Sequence, residues 1–295
     1  MNDNELMKTM PVPQAVAKMA IPSIISSLVT VVYNMADTFF VSRISTSASA
    51  AVGVSYSLMA MIQALGFTLG MGSGNYLSRV LGSRDEEKAE RIASTGFYTA
   101  IFVGLVFAAI CLPNLDLLVR LLGATDTIAP YAKDYAKYIL MAAPVMTGAL
   151  SMNNLLRFQG LAVYSMIGIT TGGILNMILD PILILGFGPF PRLEVVGAAV
   201  ATVTSQILVL IVMLIRIMHS DLEPNILQNM HVLSRFPAKY YISIFKIGFP
   251  TAVQSSIYCM ISMILTRMVS AFGAGAIATQ RVGGQIESVS WNTAD

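Results

Sequence analysis

Residues 164–188 read YSMIGITTGGILNMILDPILILGFG, an apolar run that carries Asn176, Asp180 and Pro181 in its second half. A helix needs about 20 such residues to cross a bilayer, so the run is long enough to span one. A carboxylate inside a membrane helix costs about 2.5–3.5 kcal/mol on insertion scales, which marks Asp180 as a site and not filler. Asn176 lies four residues earlier and shares its helix face. Pro181 has no N–H to donate, so the Met177 carbonyl loses its usual helical partner. Carboxylate, amide and freed carbonyl are all oxygen ligands suited to a proton or a small hard cation.

The rest of the 295-residue chain supports a membrane setting. It is 55% hydrophobic and 12% charged, against roughly 25% charged in soluble proteins, with a mean hydropathy of +0.70. Membrane-length apolar segments fall near 16–42, 51–77, 94–118, 135–157, 164–188, 196–218 and 240–270, and an eighth begins near Ala276. The alternation of a membrane barrel is absent, so the backbone has to be satisfied within helices. The first run is too long for a cleaved signal peptide. Cys111 and Cys259 both sit in apolar segments and read as small hydrophobes, not as a disulfide. The net charge of +2 is scattered over loops and leaves no nucleic-acid footprint. No nucleophile with a base, metal cluster or phosphate loop indicates an enzyme or a bound cofactor.

Lys and Arg set the expected orientation. Lys8, Lys18, Arg79, Arg84, Lys88, Arg91, Arg157, Arg216, Arg235, Lys239 and Lys246 fall on the side of the N-terminus, with only Arg43, Arg120, Lys133, Lys137 and Arg192 opposite. That bias places the N-terminus in the cytoplasm. The polar stretch 219–239 reads as a cytoplasmic linker between a six-helix N-terminal lobe, 1–218, and the first one or two helices of an incomplete second lobe, 240–295. A shift of 228 residues aligns Lys18, Pro22, Ser27, Met35 and Thr38 with Lys246, Pro250, Ser255, Met263 and Thr266. It continues without a gap through Val41/Val269, Ser42/Ser270, Ala48/Ala276 and Val54/Val282. The fold class is therefore an all-α polytopic membrane protein, a six-helix lobe followed by the start of a pseudo-symmetric second one, both inserted in the same sense. Because the chain stops inside its eighth helix, the sequence is expected to be a fragment of something roughly half as long again. Under the same shift Asp37 falls opposite Leu265, so the chemistry belongs to the first lobe.

Depth arguments gather the polar residues. Asp37 lies 19 residues from Lys18 and Asp180 lies 16 from Tyr164, while Thr202 is a few residues inside the far end of its helix. At 1.5 Å of rise per residue all three fall in the outer half of the membrane. Tyr33, Asn34 and Asp37 share a face of the first helix. Two carboxylates on separate helices at one depth make a shared site, a proton relay if protonated and a sodium site if ionised. A structural ion pair is the competing reading, and the first six segments offer no mid-membrane base for it. Asn153 and Asn154 either face the same cavity or bridge helices. Gly66, Gly70 and Gly74 read as a small-residue packing stripe and not a phosphate loop. The charged run 79–91 reads as a solvated loop helix. The 19 methionines fit an adaptable cavity or ordinary packing, and His219 and His231 lack metal-ligand spacing.

At these residues the chain resembles the multidrug and toxic compound extrusion (MATE) family. The matching stretches are Tyr33-Asn-Met-Ala-Asp37-Thr38, Ser78-Arg79-Val-Leu-Gly82-Ser-Arg84-Asp85, Leu156-Arg157-Phe-Gln-Gly160, Asn176-Met-Ile-Leu-Asp180-Pro181 and Gly197-Ala-Ala-Val-Ala-Thr202. The resemblance implies a fold of 12 transmembrane helices in two lobes and export of cationic or amphipathic organic compounds in exchange for protons or sodium. It implies a cation site at Asp37, Asn176, Asp180 and Thr202, while Tyr33, Asn34, Asn153 and Asn154, read from their own positions, are the candidate residues of the cargo cavity. Tyr258 stands where one branch carries an essential Glu, which points to the DinF-type branch. A monomer in the plasma membrane is the expected form. A lipid-linked precursor flippase of the same superfamily is the alternative, and a receptor or uncoupled channel is a more distant one.

Overall fold

The computed structural model describes residues 11–187, 191–219, 227 and 238–294. The polar start of the chain and most of the predicted linker 219–239 lie outside the described residues, His231 included. The described chain is helical: α1 Val12–Ser42, α2 Thr46–Gly82, α3 Glu86–Cys111, α4 Leu115–Leu121, α5 Ala129–Phe158, α6 Ala162–Leu185, α7 Glu194–Met218, α8 Ala238–Ser270 and α9 Ala274–Ala294. Seven of them, all but α4 and α9, are long and apolar enough to cross a membrane. Successive spans alternate in direction, so α1 and α6, the first and fifth spans, run parallel.

The helix ends follow from local chemistry. The Ser45 side chain caps α2 by accepting from the Ala48 N–H at 3.0 Å, and Asp85 caps α3 by accepting from the Lys88 N–H at 3.1 Å. Glu86 and Glu87 stand in the first turn of α3, where the helix dipole favours them. The charged run 79–91 is thus the end of α2, a tight turn and the start of α3, not a separate loop helix. The expected segment 94–118 is also corrected: α3 stops at Cys111, because Pro113 cannot donate to the helical ladder, and the chain turns into the seven-residue α4. Gly186, at φ +76°, ends α6 in the left-handed conformation that favours glycine.

Apolar packing holds the two ends of the bundle. One cluster joins α2 and α5 through Leu58, Ile62, Ile139 and Leu140. The other joins Leu77, Ile92, Met152 and Leu156 to Met213 of α7, Tyr240 of α8 and the linker residue Leu227. Gly66, Gly70 and Gly74 of α2 lie against Leu150, Asn154 and Phe158 of α5, so the glycine stripe is a packing seam along a continuous helix. The exposed faces are apolar: Ile21, Ile25, Val32 and Phe39 on α1, and Ile207, Ile211 and Ile215 on α7, are exposed.

Helix α8 crosses α2 closely. A Cβ on Gly72 would collide with the Ile244 carbonyl, and one on Gly248 with the Thr68 carbonyl. Beside the crossing, the Tyr76 and Tyr240 rings meet at a tilt with centroids 6.5 Å apart. Lys88 and Lys239 lie over those two rings at 5.9 and 5.3 Å. Two helix bounds recur under the 228-residue shift: α1 and α8 end at Ser42 and Ser270, and α2 and α9 begin at Thr46 and Ala274.

Candidate functional site

Helix α6 is held between α1 and α7 by two adjacent glycines facing opposite ways. A Cβ on Gly173 would stand 2.9 Å from Val29 Cγ1 and 3.1 Å from Tyr33 Cδ1 of α1. A Cβ on Gly172 would meet the Val209 side chain and, at 3.1 Å, the Ser205 carbonyl of α7. Close approach on both sides fixes the register. Because α1 and α6 run parallel and Tyr33 sits beside Gly173, Asp37 reaches the level between Asn176 and Asp180.

The antiparallel pair α6/α7 gives the same level from the other side. Gly168 meets Met213, Gly172 meets Val209, and the Leu183 carbonyl lies against Gly197 and accepts from the Leu193 N–H at 3.0 Å. That places Thr202 between Asn176 and Asp180 and Ser205 opposite Asn176. Asp37, Asn176, Asp180 and Thr202 are 7%, 2%, 0% and 7% exposed. The three residues selected by depth, with Asn176 from the face of Asp180, thus sit buried on three adjoining helices at one level.

Below that level a polar chamber of about 240 Å³ runs between α1, α2, α5, α6 and α7. Its lining includes Tyr33, Asn153, Asn176 and Thr202, with Asp37 and Asp180 one helical turn beyond Tyr33 and Asn176. Asn34 and Asn154 are not among the lining residues. The Asn34 carbonyl accepts from the Thr38 hydroxyl at 2.8 Å, while Asn154 donates to the Leu150 carbonyl at 2.8 Å and packs on Gly70. Asn153 lines the chamber and also bridges helices, its amide donating to the Ser165 hydroxyl at 2.6 Å. Both amide atoms of Asn176 and the Ser205 hydroxyl are buried without a hydrogen-bond partner, which suits a site that binds something from the chamber.

Gln63, Ser205, Gln206 and Arg157 also line the chamber, and sequence reasoning does not single them out as site residues. Gln63 and Gln206 carry the same signal as Asn176, an amide deep in an apolar run. Arg157 enters the sequence reading as a charge at a helix end and within the stretch 156–160, not as a site residue. It sits in the last turn of α5 and faces the chamber from that end, a base at the helix terminus and not at mid-membrane depth.

Comparison with known proteins gives the chain its relatives. The family model described as MatE matches residues 22–182. The multidrug export protein MepA of Staphylococcus aureus (strain MRSA252) is 30% identical over 272 residues, covering 91% of this chain and 58% of that protein. An FAD transporter of Shewanella oneidensis is 28% identical over 291 residues, covering 98% of this chain and 63% of that protein. Among solved structures, a ligand complex of the MATE multidrug transporter DinF-BH superposes with a TM-score of 0.84 at 27% identity, covering 95% of this chain and 62% of that one. The chain therefore spans about three fifths of the length of the relatives it matches.

Proposed function

The chain belongs to the MATE family of transporters, and from that premise we propose that it works as a secondary antiporter, exporting cationic or amphipathic organic compounds in exchange for protons or sodium. The observation that carries this reading is the common level of Asp37, Asn176, Asp180 and Thr202 on three packed helices, next to a polar chamber. Two carboxylates, an amide and a hydroxyl supply the oxygen ligands for one cation. Occupation of that site on the outer side weakens the hold on a cationic cargo, and release of the ion inside restores it. The coupling is reciprocal, since whatever loosens cargo when the ion binds loosens the ion when cargo binds. A membrane potential of about 150 mV gives roughly 3.5 kcal/mol per charge, enough for a cargo gradient of about 300-fold.

In this reading residues 1–218 form the coupling lobe and 219–239 the cytoplasmic linker, and 240–295 belong to a second lobe. The protein is a monomer in the plasma membrane with its N-terminus in the cytoplasm, as the Lys and Arg bias favours. Tyr258, where one branch of the family carries a Glu, supports the DinF-type branch and coupling through the first lobe alone. The flippase alternative is not favoured, because the similar proteins include multidrug transporters and the buried charges at this level are acidic. The test is dye efflux from vesicles carrying the protein, with a pH gradient and a sodium gradient imposed separately. One of the two gradients should drive efflux, and efflux driven by neither would contradict the reading.

A further inference from the structure

A cation bound at the Asp37/Asp180 level needs a way to the cytoplasm, and one wall of the chamber has the chemistry for it. Ser23, Ser26 and Thr30 line the chamber from α1, on one face by their spacing, and Tyr33 continues the row to the turn before Asp37. The three hydroxyl protons are committed: Ser23 donates to the Met19 carbonyl at 2.9 Å, Ser26 to the Pro22 carbonyl at 2.8 Å and Thr30 to the Ser26 carbonyl at 2.9 Å. A hydroxyl whose proton is used in this way offers the chamber only its lone pairs. The row is a ladder of acceptors, unsuited to an anion and suited to a hydrated cation or a protonated water.

The dimensions agree. From Ser23 to Tyr33 the ladder covers about 15 Å at 1.5 Å per residue. Drug-sized pockets are typically about 300–1,000 Å³, so a chamber of about 240 Å³ is small for cargo. It suits a file of waters at roughly 30 Å³ each. One end carries the buried, unpartnered amide of Asn176. The other carries Arg157, which is exposed and whose guanidinium has no hydrogen-bond or ion-pair partner among the described residues.

We propose that this chamber is the coupling cation's path between the carboxylate level and the cytoplasm, running inside the first bundle along Ser23, Ser26, Thr30 and Tyr33, with Arg157 as the charge at its mouth. The cargo takes a separate route. Arg157 raises the barrier for cations at the mouth in both directions and so limits uncoupled leak. The proposal rests on the antiport reading.

The test is thiol labelling in inside-out vesicles, on a background in which the two free thiols, Cys111 and Cys259, are replaced by Ala. Ser26→Cys and Thr30→Cys should react with trimethylammonioethyl methanethiosulfonate from the cytoplasmic face about 10-fold or more faster than Leu28→Cys on the exposed apolar face of α1. Adding Arg157→Gln should raise the rate with this cationic reagent relative to the anionic sulfonatoethyl reagent by about fivefold or more. Reaction from the opposite face only, rates no higher than at Leu28→Cys, or an unchanged ratio would overturn the proposal. If Ser26→Cys fails to insert, Ser23→Cys gives the same readout one step nearer the mouth. Labelling does not depend on transport, so a failure of antiport itself, seen as undiminished efflux by Asp37→Asn, is read separately.

Discussion

Asn176 shows how one residue's cost reveals its use. Its buried amide forgoes hydrogen bonds that ordinarily contribute about 1–3 kcal/mol once desolvation is counted, a loss tolerated only where something else completes the site. Asn176→Leu keeps the volume and removes the unpaired polar atoms, so export should fall at least tenfold while the thermal midpoint in detergent holds or rises. A variant that unfolds earlier and still exports would mark Asn176 as structural. The same residue explains what is legible in the sequence. Asn176, Asp180 and Asp37 announce themselves because polar groups are expensive in an apolar run. Asn154 carries the same signal with a different outcome, since an amide can also be spent on its own helix, here on the Leu150 carbonyl. Composition does not distinguish the two.

At the scale of the element, α6 depends on Gly172 and Gly173. Their lack of side chains is what brings Asn176 and Asp180 within reach of both α1 and α7. Gly172→Val should displace α7, lower stability by about 1–3 kcal/mol as overpacked sites do, and reduce export. Gly82→Ala and Gly275→Ala, where nothing lies within 4 Å, should change neither. Thermal unfolding in detergent beside an efflux assay checks all three, and equal behaviour of the three variants would contradict the account. Seven of the spans are legible because length and hydropathy specify them directly. The early end of α3 at Cys111 is not, since leucines recur through Leu115–Leu121 and the break rests on Pro113 with the polar Asn114, Asp116 and Arg120. The chamber is also hidden, because its lining comes from five helices whose mutual rotation is set by glycine contacts that no single segment displays.

For the whole molecule, the 228-residue repeat is the most informative feature of the sequence, reappearing in the ends of α1 and α8 and the starts of α2 and α9. It also makes Asp37 stand out, as the acid that has no counterpart at Leu265. What the repeat does not reveal is the contact between α8 and α2, where Gly72 and Gly248 allow backbones to cross and the Tyr76 and Tyr240 rings meet. The central claim is that Asp37 and Asp180, on separate helices, serve one cation. Ion-driven dye efflux by Asp37→Asn, Asp180→Asn and the double variant, all at matched levels in vesicles, tests it most directly. Each single variant should lose efflux about 100-fold or more, and the double should be no worse than either single, as for two groups in one site. Wild-type efflux in either single variant, or losses that multiply in the double, would contradict it.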